Sequence, residues 1–490
     1  MTETITKYEP VIGLEIHAQM NTSSKAFCRC STDFSAPANS NVCPICLGHP
    51  GVLPVVNQGL VESIIKMGLA TNCKIRERSI FARKNYFYPD LTKGYQITQY
   101  ETPICYDGYL DLTLKGGGEK RIGITRIHME EDAGKSIHDF SDDDSLIDFN
   151  RCGVPLIEIV SEPDMNSSNE AFLYLQKVKQ LLMWLGINDG NMEEGSLRCD
   201  ANISIRPAGT KEFGTRTEIK NLNSFKNVVD AIEAEIKRQS AVLDSGERVI
   251  YNTMTYNAKD RTTSATRTKE AAHDYRYFPE PDLVFVEVSD EWKSKIKSEL
   301  PELPNEIKAR FISEYSLPEY DADVLTQEKE MAEYFEKVVT ELNDKSAKNY
   351  KSASNMAMTE VMRVLNDDKI RVSDFPIQPS HIAKLVELVS NETINNNTAK
   401  DVFAEMLKES GKDPDEIIKE KDLVQVKDES AIEEIVTKII SQYKDEVDRY
   451  NSGEKKLAGF FIGKVMSESK GKANPKIVNE LLLKKLQEAK

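Results

Sequence analysis

The sequence predicts an α+β protein: an antiparallel sheet with one polar face in roughly the first 295 residues, then an all-helical second half. Three observations carry this. Val11–Met20 (VIGLEIHAQM) and Leu197–Arg206 (LRCDANISIR) alternate apolar and polar residues at the two-residue period of a half-buried strand. Short alternating segments, aromatics and Gly/Pro punctuation stop near residue 295. Beyond it, apolar residues recur at helical spacing almost to the end.

In the first strand, Ile12, Leu14 and Ile16 share one face, and Glu15, His17 and Gln19 the other. Ser167 and Glu170 have capping-box spacing ahead of Phe172, Leu175, Val178, Leu182 and Leu185, and Gly186 supplies a stop, which predicts a helix over 168–186. In Leu197–Arg206 the faces are Leu197, Cys199, Ala201, Ile203 and Ile205 against Arg198, Asp200, Asn202, Ser204 and Arg206. Thr215–Asn221 aligns Arg216, Glu218 and Lys220, and a helix over 225–239 shows Phe225, Val228, Val229, Ile232 and Ile236 on one side. The two helices are expected to cover the apolar back of the sheet. Leu300–Pro304 (LPELP) reads as a junction. Amphipathic helices are expected around 325–345, 354–366, 379–390, 397–410 and 430–447, and in the two apolar stretches Leu457–Met466 and Ile477–Leu486. The expected domains are 1–295, 296–410 and 411–490.

At 490 residues, the chain exceeds a single core of about 100–200 residues. No apolar run approaches the roughly 20 residues of a membrane span. Met1–Pro10 is polar and carries acids, unlike a signal peptide. A cytoplasmic location is the expectation. The net charge of −16 argues against non-specific coating of nucleic acid, but Asn451–Lys490 holds nine Lys against four Glu.

Four of the eight cysteines cluster as Cys28-x-Cys30 and Cys43-x-x-Cys46. Two close pairs on two turns can place four thiolates about 2.3 Å from a zinc ion. The alternative is a set of free reduced thiols. With four protein ligands no position is left for a catalytic water, so the expected role is structural. Cys73, Cys105, Cys152 and Cys199 are scattered and read as small buried hydrophobes.

Glu15 and His17 project from one strand face, Glu130, Glu131 and Asp132 lie in His128–Lys135 (HMEEDAGK), Glu158 sits in Leu156–Val160 (LIEIV), and Asp200 is on a polar strand face. Taken singly, each acid reads as an exposed strand residue or an ion-pair partner. Gathered on one sheet face, they would suit Mg²⁺, which takes oxygen ligands and keeps waters for substrate phosphates. Arg83–Tyr100 (RKNYFYPDLTKGYQITQY) and Asp274–Leu283 (DYRYFPEPDL) interleave cations with aromatics, as surfaces for phosphates and unpaired bases do, and as apolar loops also do. The sequence holds no Walker-A motif, no dinucleotide glycine fingerprint and no G-x-S-x-G elbow.

These stretches, with Gly13–Gln19 (GLEIHAQ), Cys46–Asn57 (CLGHPGVLPVVN), Pro155–Asp164 (PLIEIVSEPD), Gly195–Asn202 (GSLRCDAN) and Glu218–Phe225 (EIKNLNSF), come in an order that resembles the B-subunit family of glutamyl/aspartyl-tRNA amidotransferases (the GatCAB complex), nearly end to end. The resemblance implies a glutamine-synthetase-like cradle in 1–295, a helical domain in 296–410 and a YqeY-like, tRNA-binding tail in 411–490. It implies Mg²⁺ ligation by Glu15, His17, Glu131, Glu158 and Asp200, with Glu130 beside them. Phosphate contacts are expected from Arg83, Lys84, Arg198 and Lys220, and tRNA phosphate contacts from Lys455, Lys456, Lys464, Lys470 and Lys472. The Cys28, Cys30, Cys43 and Cys46 quartet resembles the zinc-bearing branch of the family.

The implied reaction is ATP-dependent phosphorylation of the side-chain carboxylate of a misacylated Glu-tRNA(Gln) or Asp-tRNA(Asn), followed by amidation. It makes the enzyme a carbon–nitrogen ligase with glutamine as amide donor. The implied partners are an amidase-type glutaminase A subunit and a small C subunit, in a heterotrimer. Two other readings stand beside it: a free-standing glutamine-synthetase-like ligase for a small acid, and a non-enzymatic tRNA-binding scaffold.

Overall fold

The computed structural model describes residues 7–488 except 34, 115, 138–143, 268–274, 426–427 and 470, so Lys470 and Asp274 lie outside the described residues. Residue contacts divide the chain into two units, Met1–Leu303 and Pro304–Lys490.

The first unit is built on a nine-stranded sheet. Its strands are β1 (Tyr8–Gln19), β2 (Lys74–Ile75), β5 (Cys105–Leu114), β6 (Gly118–Glu131), β7 (Pro155–Ser161), β8 (Leu197–Pro207), β9 (Thr217–Leu222), β10 (Thr253–Asn257) and β11 (Thr262–Arg267). Between β2 and β5 in the chain lie β3 (Ala82–Asn85) and β4 (Tyr95–Thr98), which pair with β12 (Phe278–Pro279) in a separate three-stranded sheet. The order in the large sheet is β11-β10-β9-β8-β1-β7-β6-β5-β2. Its pairs are antiparallel except β9 with β10, which the helix α3 connects.

The pleat decides which face each residue takes. Ile12, Leu14 and Ile16 are fully buried and join Ile127, Met129, Ile157, Ile159, Cys199 and Ala201 in one core. Each Ile, Leu or Met among them stabilises by about 1.5–3 kcal/mol. Helices α1 (Gln58–Ala70), α2 (Ser168–Trp184) and α3 (Phe225–Asp244) add Leu60, Ile64, Leu175, Val178, Val228 and Ile232 to that core. Ser167 caps α2 by accepting the Glu170 amide at 3.2 Å, and Gly186 follows the helix at φ +67°. The capping box is displaced by one residue: Glu170 accepts the Asn166 amide, at 2.7 Å, and pairs with Lys120.

The second unit is helical among its described residues. Lys329–Glu341, Pro379–Ser390, Asn396–Lys408 and Glu429–Gln442 fall where helical periodicity places them. The segment expected at 354–366 is a longer run, Ala347–Met356 and Met362–Asp368, joined by a π-helical turn at Ala357–Val361. A helix at Pro304–Tyr315 and short helices at Glu319–Leu325 and Pro414–Glu420 add to the expected set. Leu457–Glu468 and Pro475–Glu488 close around a separate apolar cluster that includes Ile432, Val436, Phe461, Val478 and Leu482. No described helix is long and apolar enough to cross a membrane.

Candidate active site

Directly opposed residues in an antiparallel pair share a face. His17 lies opposite Glu158 on β7 and Arg198 on β8, Glu15 lies opposite Asp200, and Glu158 lies opposite His128 on β6. The register therefore gathers Glu15, His17, His128, Glu130, Glu158, Arg198 and Asp200 on the face away from the core.

At its centre, His17 Nε2 is 3.2 Å from Glu158 and 3.9 Å from Glu130. His128 Nε2 lies 3.6 Å from Glu130 and 3.8 Å from Glu158. Arg126 Nε donates to His128 Nδ1 at 3.4 Å. Lys84, from β3, stands 4.0 Å from Glu130, and Arg126 stands 3.6 Å from Glu158. Tyr275 lies under the Lys84 ammonium at 5.0 Å.

The charges settle one another. Burial raises the Glu158 carboxyl, but His128, the His17 hydrogen bond and Lys84 outweigh it and hold it well below the usual carboxylate range. Burial likewise opposes, and Lys84 and His128 secure, a lowered Glu130. Burial pushes His17 down, but the Glu158 hydrogen bond and the Glu158, Glu130 and Asp200 charges win, and its pKa is raised. Glu15 goes the other way: burial and repulsion from Glu158 and Glu218 raise it, against a hydrogen bond from Asn202.

Ligand atoms of His17, Glu130 and Glu158 all lie within 4.8 Å of one another. An octahedral Mg²⁺ at about 2.0–2.1 Å sets adjacent ligands about 2.9 Å apart, so His17, at 3.2 Å from Glu158 and 3.9 Å from Glu130, would draw in by up to about 1 Å to share one face of such an ion. Glu15 and Asp200 share the sheet face but lie outside that triad. Lys220 takes Asp200 at 3.1 Å and Glu218 at 2.8 Å.

Three expected roles look different in the structure. Glu131 points to the opposite side of β6 and pairs with Lys93, because neighbours on a pleated strand alternate; the residue that reaches His17 and Glu158 is Glu130. Arg83 is held bidentately by Glu280 at 2.7 and 2.8 Å and by Asp282 at 2.9 Å, so its guanidinium is committed, and its neighbour Lys84 turns to the acidic face. Arg198 is on the face but donates to the buried Asp132 at 2.8 Å. The sequence reading missed His128, Arg126, Gln96 and Thr98. The i, i+2 pattern of His128 and Glu130 carried the signal for the first.

Cys28, Cys30, Cys43 and Cys46 bring their four sulfurs within 4.8 Å of one another. A tetrahedral zinc at about 2.3 Å sets sulfurs about 3.8 Å apart, and Cys43 and Cys46 stand 3.9 Å apart. The Cys46 thiol is pulled down to about 5, first by a hydrogen bond from Cys28 and then, against burial, by the Cys43 amide and Lys25. Burial pushes Cys30 up to about 11. Lys25 is fully buried and donates to the carbonyls of Asn41 at 2.8 Å and Phe149 at 3.3 Å. The knuckle adjoins the β3–β4 hairpin, where Thr92 Oγ1 donates to the Cys46 carbonyl at 2.7 Å.

Comparison with known proteins finds relatives along almost the whole chain. Residues 10–294 match the family described as the GatB/GatE catalytic domain, and residues 333–486 match the GatB domain family. The chain is 54% identical over 482 residues to the B subunit of the aspartyl/glutamyl-tRNA(Asn/Gln) amidotransferase of Thermodesulfovibrio yellowstonii, covering 98% of this chain and 100% of the relative. It is 54% identical over 484 residues to the corresponding B subunit of a Geobacter species, with the same coverage. The B subunit of Chlorobium luteolum is 53% identical over 481 residues, 98% of this chain and 100% of the relative.

Proposed function

Because the chain belongs to the GatB family of tRNA amidotransferase B subunits, we propose that its acidic sheet face activates the side-chain carboxylate of Glu-tRNA(Gln) or Asp-tRNA(Asn) with ATP, for amidation to Gln-tRNA or Asn-tRNA. A carboxylate is a poor electrophile because its leaving group would be an oxide. Transfer of the γ-phosphoryl group makes an acyl phosphate, and ammonia then displaces phosphate. The observation that carries this reading is the convergence of His17, Glu130 and Glu158 beside Lys84 and Arg126.

His17, Glu130 and Glu158 would hold Mg²⁺, which when bound neutralises charge on the transferring phosphoryl group. Lys84 and Arg126 stand at the rim, where they would meet phosphate oxygens. Lys220 holds Asp200 and Glu218 in place and offsets one of their two negative charges. Tyr86, Tyr275 and Tyr277 wall the site around Lys84, and burial pushes the Tyr277 hydroxyl up to about 12, so it stays a neutral donor.

Cys28, Cys30, Cys43 and Cys46 would hold a structural Zn²⁺. Residues 1–295 form the activating domain in this reading, 296–410 a helical domain, and 411–490 a tail that grips tRNA phosphates through Lys455, Lys456, Lys464 and Lys472. The relatives are each one subunit of an amidotransferase, which supports a multi-subunit assembly. The proposed partners are an amidase-type A subunit that makes ammonia and a small C subunit.

The test reconstitutes the chain with those subunits and supplies ATP, Mg²⁺ and ammonium chloride, so that no glutaminase is needed. Wild type should convert Glu-tRNA to Gln-tRNA, and Glu158→Gln should still bind the tRNA but lose at least about 100-fold in rate. Equal conversion by both would remove the acidic face from the reaction.

A further inference from the structure

Adjacent carboxylates at the end of β6 do different work. Glu130 lies opposite Leu156, two residues from Glu158, whereas Glu131 lies opposite Pro155 and points the other way. Glu131 is buried; it accepts the Ile97 amide at 2.9 Å and pairs with Lys93, while Gln96 donates to its carbonyl at 2.8 Å. From the acidic side, Gln96 and Thr98 donate to Glu130 at 3.2 and 3.3 Å. One strand end thus grips β4 from both sides.

The grip has a cargo. β4 pairs with β3 so that Gln96 lies opposite Lys84, and the ammonium of Lys84 reaches Glu130 from there. Wherever the hairpin goes, Lys84 goes. Lys93, at the entry to β4, rests against Gly48 of the cysteine knuckle, where an added Cβ would come within 2.8 Å of its Cγ. A carboxylate already bound to an ammonium and a backbone amide, and facing away from His17, is poorly placed to ligate an ion on the acidic face.

We infer that Glu131 is a positioning residue: with Lys93 it locks the β3–β4 hairpin, and so Lys84, onto the acidic face, and it is not a ligand of the divalent ion. The inference rests on the activation reading above. A displacement of about 1 Å in a phosphate-contacting group costs on the order of 100-fold in rate, which sets the size of the expected effect.

The experiment compares Glu131→Gln, Lys93→Met, the double variant and Glu130→Gln in the zinc-loaded complex. Binding of Mn²⁺ alone is read by electron paramagnetic resonance, and kcat and KM are read in the ammonium-driven reaction. Glu131→Gln and Lys93→Met should keep Mn²⁺ affinity within about threefold and lose about 10–100-fold in kcat. The double variant should be no worse than the poorer single one, and Glu130→Gln should lose Mn²⁺ binding. Loss of Mn²⁺ binding in Glu131→Gln, or an unchanged kcat in Lys93→Met, overturns the inference while leaving the activation reading in place. Normal Mn²⁺ binding by Glu130→Gln overturns the activation reading and the inference together. Lys93→Met probes the lock from the hairpin side, so the inference can be refuted even where Glu131→Gln fails to fold.

Discussion

Loading the acidic face with a divalent ion has to displace a proton from His17. Imidazole coordinates only when neutral, and this one is held protonated above its ordinary range by Glu158, Glu130 and Asp200 against the effect of burial. Glu130 and Glu158 bring no proton to the competition near neutrality, because both titrate below the usual carboxylate range. One proton should therefore leave per ion bound. The apparent Kd for Mn²⁺ should fall about tenfold per pH unit while His17 is protonated and level off above its raised pKa. Stability follows the same group. A raised pKa stabilises the ion-free fold fully below the unfolded value of about 6.5 and ceases to as pH rises through the folded pKa. The ion-free protein should thus lose stability across that window, and saturating Mn²⁺ should remove the loss. The assay is a Mn²⁺ titration from about pH 5.5 to about pH 8.5, with released protons counted in weak buffer. His17→Gln should bind more weakly and without the slope. A flat profile below about pH 6.5 would refute the ligand role of His17. A slope of two would bring in Glu15, whose carboxyl is raised.

Two further outcomes follow from the same geometry. Chelation should expose Cys28, Cys30, Cys43 and Cys46 to alkylation in the native protein, counted by mass spectrometry, whereas Cys73, Cys105, Cys152 and Cys199, all buried, should react only after unfolding. Glu235→Ala should cost about 3–5 kcal/mol in urea unfolding, since this buried carboxylate takes hydrogen bonds from Thr217, Arg238, Gln239 and Thr263. Despite burial its pKa is lowered, so that contribution is present above the unfolded value and fades as pH falls through the folded one.

The sequence made the faces of β1 and β8 readable because period-two alternation is a local signal, and burial follows it residue by residue through Leu197–Ile203. The cap of α2 was readable for the same reason. Pairing across the sheet was not, because nothing local says that residue 17 meets residue 158. The Glu130 and Glu131 pair shows the cost: chemistry alone makes them equivalent, and only the pleat of β6, counted from His128, separates them. Arg83 and Lys84 repeat the lesson on β3. The cysteine quartet was legible because its spacing is short, whereas the support of Lys93 by Gly48 depends on a loop's path through space. In the second unit periodicity found most of the longer helices but not Pro304–Tyr315, and it passed over Glu319–Leu325 and Pro414–Glu420, too short for two turns of pattern.

The place of β1 between β7 and β8 also sets when the protein can fold. Glu15 and His17 leave the ribosome early, yet their strand finds its neighbours only at residues 155–161 and 197–207. At about 5–20 residues per second, roughly ten to forty seconds of synthesis pass before the second neighbour exists. Through that interval Ile12, Leu14 and Ile16 have no sheet to enter, and a strand with two bare edges is open to any other chain. The active face thus cannot assemble before residue 207 has been made, its contacts being of high sequence separation, and until then the nascent first unit carries unpaired strand edges.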